Sequence, residues 1–188
     1  MRPAIHPCAR LLASCAKWIS GARVRWIDGP PAPGPRVYFA NHSSHLDFVV
    51  LWASLPARIR VHTRPVAAQE YWESTPWRSY LATRIFHSVL IPRLNGTVLL
   101  GRKTLCPLLD ALDRGGSLIL FPEGTRGDGG EVGPFKGGLY QLCRERPALE
   151  AVPVYLENLH RILPKGNLLP LPWRSRVTFG PALRLDPG

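Results

Sequence analysis

Acidic side chains are scarce in this chain: 13 Asp+Glu stand against 24 Lys+Arg, a formal net charge of +11. A surface so charged favours polyanions, which means nucleic acid, anionic lipid headgroups or phosphorylated small molecules. Most of the cations are arginines, whose planar fork suits bidentate phosphate contacts, although Arg and Ala richness also follows from GC-rich coding. Cysteine is sparse too. Cys8, Cys15, Cys106 and Cys143 show no CxxC spacing, which argues against a zinc site or a disulfide framework and for a reduced, cytosolic-side location. No apolar run approaches the roughly 20 residues that span a bilayer. The first residues lack the apolar core and cleavage site of a secretory signal. There is no internal repeat, and no low-complexity tract beyond one proline-rich connector.

What remains is a chain of 188 residues with 45% hydrophobic and 20% charged side chains, the composition of one folded domain with a real core. Residues 1–27 differ from the rest. Leu11, Leu12, Cys15, Trp18 and Ile19 recur at helical spacing near Arg10, Lys17, Arg23 and Arg25, as in a short basic amphipathic helix lying in a membrane interface. A helix packed on the domain fits the same pattern. The connector Asp28–Arg36, DGPPAPGPR, ends this segment, and the compact domain is expected over 37–188.

There, apolar runs alternate with helical patterns. Strands are expected at Val37–Ala40, Ile59–His62, Val89–Pro92, Ser117–Phe121, Leu149–Leu156 and Arg176–Phe179. Helices are expected at His45–Leu55, Trp77–Phe86, Lys103–Arg114 and Lys136–Arg144. The alternation predicts an α/β domain around a largely parallel sheet, with chemistry in the loops beyond the carboxyl ends of the strands. Two polar segments occupy that position.

The first is FANHSSHLDF, residues 39–48. On one continuous helix His42 and Asp47 would lie roughly 140° apart and never touch. If the helix starts at Ser44, His42 can fold back towards Asp47, which then fixes the imidazole tautomer and leaves a general base. Ser44-His45-Leu46-Asp47 also fits a capping box, in which Asp47 only satisfies backbone N–H groups. A metal held by His42, His45 and Asp47 lacks further ligands. Ser43 and Ser44 lack the Gly-x-Ser-x-Gly elbow of a hydrolase nucleophile. The second segment, SLILFPEGTRGDGG, runs from a buried strand into a glycine-rich turn carrying Arg126. Glycines let backbone N–H groups approach an anion, and Arg126 brings a bidentate donor to the same place. Lys136, at a helix start, and Arg93, after a strand, add cations. Together they look like a phosphate pocket, where separately each is an ordinary solvated charge, turn or ion pair.

The pair NHSSHLD and FPEGTR resembles two signature motifs of the glycerolipid acyltransferases, the family that includes the 1-acyl-glycerol-3-phosphate acyltransferases. Asn41, His42 and Asp47 match Asn-His-x-x-x-x-Asp, and Phe121 to Arg126 match Phe-Pro-Glu-Gly-Thr-Arg without change. The family's Gly-x-x-Phe-Ile-x-Arg element is altered here: Ile91 and Arg93 remain, while the glycine and phenylalanine are lost. Val152 to Val154 resemble its short Val-Pro-Val element. The resemblance covers about Arg36 to Leu183.

The resemblance implies a glycerol-3-phosphate acyltransferase-like fold and transfer of a fatty acyl group from acyl-CoA or acyl-carrier protein to a lysophospholipid hydroxyl. No cofactor is implied beyond that thioester co-substrate. His42 would be the base and Asp47 its partner, with no covalent acyl-enzyme. Glu123, Gly124, Thr125 and Arg126, with Arg93 and Lys136, would hold the acceptor, Gly124 being also a candidate oxyanion donor. Asn41 would support the turn. The Trp52, Trp72 and Trp77 neighbourhoods are candidates for an acyl groove, or simply core. Expected partners are the thioester, the lysophospholipid and the cytoplasmic side of a membrane surface, met peripherally. The rival readings are a silent module that binds lipid or CoA and a nucleic-acid binder. The basic residues are dispersed and no nucleic-acid signature is visible, so nucleic acid is not an expected partner.

Overall fold

The computed structural model describes residues 7–92, 102–129, 131–163, 171 and 173–184. The elements run α1 (Pro7–Ser20), β1 (Arg23–Trp26), β2 (Arg36–Ala40), α2 (Asp47–Ser54), α3 (Ala57–Arg60), β3 (Thr63–Ala68), α4 (Gln69–Trp72), α5 (Pro76–Tyr80), a π-helical turn (Leu81–Ile85), β4 (Val89–Ile91), α6 (Arg102–Asp113), β5 (Ser117–Leu120), α7 (Gly138–Glu145), β6 (Glu150–Glu157), α8 (Leu159–Ile162), β7 (Arg176–Phe179) and β8 (Leu183–Arg184). The strands form one sheet in the order β1-β7-β6-β2-β5-β3-β4, with β8 also on β6. Pairing is parallel throughout except where β6 meets β7 and β8. The α/β architecture expected from the alternating pattern is the one adopted.

The near-continuous apolar strands follow from burial on both faces. Successive side chains point to opposite sides. Tyr38, Ile119 and Val152 therefore face one layer, made by α1, α2 and α8, with Ala9, Ala13, Val50, Leu51 and Leu159 in its core. Val37, Leu118 and Ala151 face the other, made by α6 and α7, with Leu108, Leu112, Leu139 and Leu142.

One expected strand needs correction, and two strands went unread. Ile59–His62 is not a strand: Ala57–Arg60 is a helical turn following Pro56, and Ile59 is buried on its inner side. The true strand is TRPVAA, Thr63–Ala68, which its proline hides from a pattern reading. Pro65 is tolerated because β3 pairs with β5 over Thr63–Pro65 and with β4 only over Val66–Ala68. The missing N–H falls where one partner gives way to the other. β1 also escaped the pattern; it lies within residues 1–27 and adds a parallel edge strand beside β7.

Candidate active site

β2 and β5 are adjacent, parallel and in register, with Phe39 opposite Leu120. The chain leaves β2 into α2, in one layer, and leaves β5 into α7, in the other. Adjacent parallel strands whose continuations part to opposite faces leave a crevice at their carboxyl ends. The two polar segments therefore meet there, although they are remote in sequence.

Asn41 extends the strand pairing by one residue. Its side-chain amide donates to Leu156 O (3.0 Å) and its oxygen accepts from Leu156 N (2.8 Å), imitating a peptide unit against β6. The chain then turns. His42 Nδ1 lies 2.8 Å from Asp47 Oδ2, and the same oxygen accepts backbone N–H groups of Ser43 (2.6 Å) and Ser44 (2.8 Å). The backbone bonding and the His–Asp contact, alternatives in the sequence, thus occur together, although the N–H groups bound are those of the turn and the helix's own N-cap, Leu46, has no side-chain cap. They coexist because α2 begins only at Asp47, so His42 sits in the turn that Asp47 closes. Asp47 is fully buried and His42 is 22% exposed. Opposite a carboxylate that only accepts, Nδ1 is the ring nitrogen placed to donate. Nε2 then carries the lone pair, with no protein partner among the described residues. The ring of Phe121 stacks on the imidazole at 4.3 Å, fixing its plane.

Glu123 ties the second loop to the first. Its buried carboxylate accepts from His42 N (2.7 Å) through one oxygen and from Gly133 N (3.0 Å) through the other. Gly127 N donates back to His42 O (2.8 Å). Each oxygen of Glu123, which the resemblance implies as an acceptor contact, thus already accepts one backbone N–H of the protein itself. The Gly124 N–H, suggested as an oxyanion donor, donates to Phe121 O at 3.0 Å. Gly124 matters for another reason. Its φ is +72°, and an added Cβ would lie 2.9 Å from Lys136 Nζ. Gly124→Ala should lower thermal stability by about 1–3 kcal/mol through backbone strain and push Lys136 aside, which a melting curve will read.

Lys136, anchored through its N–H to Pro122 O (2.8 Å), and Arg126 both line the crevice beside His42. Thr125 is exposed at the turn. Arg93 lies outside the described residues. One participant escaped sequence reading: the Arg126 guanidinium contacts His45 Nε2, and the His45 ring stacks on Tyr71. The signal was present in a second histidine within the first motif, weighed there only as a metal ligand. Burial, then the positive charges of Arg126, His42 and Arg78, lower the His45 pKa, with Asp47 opposing. The folded chain thus holds this imidazole neutral at pH values where the unfolded chain protonates it. The contribution is present above the unfolded value and fades as pH falls through the folded one. An NMR titration should show the His45 ring protonating below the ordinary imidazole range.

From the His–Asp pair a cavity of about 550 Å³ extends between the layers. Its lining includes Val49, Trp72, Leu81, Phe86, Leu108 and Leu142 together with the polar His42, His45, Arg126 and Lys136. Trp77 lines it as well, whereas Trp52 is buried in the core, beneath Arg60. One flank of α1 closes it with Leu12, Cys15 and Ile19. No group of three or more potential metal ligands occurs among the described residues.

Several known proteins are similar to this chain. The 1-acyl-sn-glycerol-3-phosphate acyltransferase of Helicobacter pylori is 30% identical over 172 residues, covering 91% of this chain and 68% of that protein. The enzyme of the same name from Limnanthes douglasii is 28% identical over 171 residues, covering 90% and 57%. The chain thus spans less than two thirds of that plant relative. The crystal structure of PlsC, the 1-acyl-sn-glycerophosphate acyltransferase of Thermotoga maritima, shares the fold at a TM-score of 0.69 and 18% identity, over 94% of this chain and 67% of that one. With the Acyltransferase family model matching residues 23–157 as well, the chain belongs to the acyltransferase family.

Proposed function

We propose that the protein transfers a fatty acyl group from acyl-CoA or acyl-carrier protein to the free hydroxyl of 1-acyl-glycerol-3-phosphate or a related lysolipid. One observation carries the reading: the histidine of a His–Asp pair lines a largely apolar cavity together with Arg126 and Lys136. Cavities of roughly 300–1,000 Å³ suit ligands of this class. The acyl tail fills the cavity, the thioester carbonyl rests beside His42, and the acceptor phosphate meets the two cations.

His42 Nε2 removes the hydroxyl proton as the oxygen attacks the thioester carbon. Asp47 Oδ2 holds Nδ1–H and stabilises the imidazolium that forms. The tetrahedral intermediate then collapses, the C–S bond breaks, and the proton held by His42 passes to the departing thiolate. Ester and free thiol are the products. Among the described residues, Cys143 is buried and burial raises its thiol pKa, so it offers no competing nucleophile.

The test is release of thiol from acyl-CoA on addition of lysophosphatidate, with products identified by mass spectrometry across a panel of acceptors and chain lengths. A protein that binds both substrates yet releases no thiol would be the silent lipid-binding module instead. Val49→Phe, which narrows the cavity from α2, should shift the ratio of long- to short-chain acyl-CoA turnover roughly tenfold towards short chains. Equal loss for all lengths would place the acyl tail elsewhere.

Contact with a membrane surface belongs to the same reading. Trp18 is 83% and Leu11 67% exposed, about two turns apart on one side of α1. Among the described residues no helix is long and apolar enough to cross a membrane. A helix seated on the domain by its alanines, with these two side chains outward, suits peripheral attachment. With acyl-CoA or acyl-carrier protein as donor, the cytoplasmic face is the side on which such a surface meets its substrate.

A further inference from the structure

Helix α1 divides its circumference into four strips, since successive residues turn by about 100°. Ala9, Ala13, Ala16 and Ser20 face the domain. Leu12, Cys15 and Ile19 face the cavity. Leu11 and Trp18 point away from the protein. Arg10 and Lys17 share the last strip, opposite the cavity side. The mechanism uses neither cation.

Ala9, Ala13 and Ala16 of α1 share one core with Trp52 of α2 and Ile59 of α3, and Arg60 follows Ile59 at the end of α3. The Arg60 guanidinium lies 5.1 Å from the Trp52 ring centroid and donates to Ala53 O at 3.1 Å, so its position is set by packing. Burial, and then Arg10, depress the Arg60 pKa; burial, and then Arg60, depress that of Lys17. Arg60 is therefore near enough to repel both Arg10 and Lys17. Among the described residues no carboxylate forms an ion pair with any of them. Like charges gathered without a counter-charge are stabilised by any anion that joins them.

We propose that Arg10, Lys17 and Arg60 form a seat for the phosphate of an anionic phospholipid headgroup in the bilayer surface. The proposal rests on the membrane contact inferred above and names its lipid class and its residues. The neighbouring strip selects a lipid over a soluble phosphate. Leu11 and Trp18 lie about a quarter-turn from Arg10 and Lys17. Burying them at the acyl boundary therefore brings the cations level with the headgroups. Arg and Lys stems can bend towards that level while their own methylenes stay in apolar contact.

The test is co-sedimentation with phosphatidylglycerol/phosphatidylcholine vesicles and with pure phosphatidylcholine vesicles. Arg10→Gln with Lys17→Gln should weaken partition onto the anionic vesicles roughly ten- to thirtyfold, at about a factor of five per cation, and leave the neutral vesicles unaffected. This pair is exposed and avoids disturbing Arg60 on Trp52. Arg23→Gln with Arg25→Gln removes the same charge from exposed β1 and should cost less than about threefold. Equal losses in the two double variants would mean bulk charge alone, and would overturn the site. So would no loss in the first variant, or inorganic phosphate raising the melting temperature as much as anionic vesicles do. A parent that binds neither vesicle overturns the membrane contact and this site together. The readout needs no turnover, so a protein inactive in thiol release leaves it standing.

Discussion

His42→Ala should leave the melting temperature near that of the parent and cut thiol release from acyl-CoA by about 10²–10⁴-fold, the usual worth of a general base. The fold tolerates the change because His42 contributes mostly through its backbone. Its N–H binds Glu123 and its carbonyl binds Gly127 whatever the side chain. The ring supplies only the contact to Asp47 and the stack on Phe121. The loss should appear in kcat with KM nearly unchanged, because the phosphate and the acyl tail are held elsewhere. Unimpaired thiol release in this variant would falsify the assignment of the base.

Asp47→Asn should be nearly as damaging, for a different reason. The amide keeps the size of the carboxylate, and its oxygen can still cap Ser43 N and Ser44 N. With that oxygen in place of Oδ2, which also faces His42 Nδ1, the geometry is kept but no negative charge is supplied to the imidazolium that forms. A loss approaching 10⁴-fold in kcat is expected, as in other His–carboxylate pairs. Stability should fall too, because the side chain is fully buried and a charge-assisted cap contributes roughly 1.5–3 kcal/mol. The two effects are separable by combination. If the residues act as one unit, adding Asp47→Asn to His42→Ala lowers the rate little further while still lowering the melting temperature. Multiplicative rate losses would mean that Asp47 acts on the reaction independently of His42.

These two residues also show how far the sequence could be read. Residue type and spacing announced both motifs, and the apolar alternation announced the sheet that brings them together. Spacing could not choose between a cap and a catalytic pair, because the answer depended on where α2 starts. The side chains meet because His42 lies before the helix, which begins only at Asp47. Gly124 and Glu123 were legible as candidates but their hydrogen-bond partners, Phe121, His42 and Gly133, were not, since loop closure alone sets them. β3 was hidden by Pro65, whose penalty disappears only when the changeover between its two neighbours is known. On α1 the sequence offered one broad apolar face. Packing split it, turning Leu12, Cys15 and Ile19 to the cavity and leaving Leu11 and Trp18 outside.

That division has a thermodynamic consequence. Because one flank of α1 closes the cavity, whatever fills the cavity holds the helix down. Whatever lifts the helix must in turn empty the cavity, and reciprocity makes the two couplings equal. A saturated tail should therefore slow amide exchange along α1 by the same factor by which undocking the helix weakens the tail's grip.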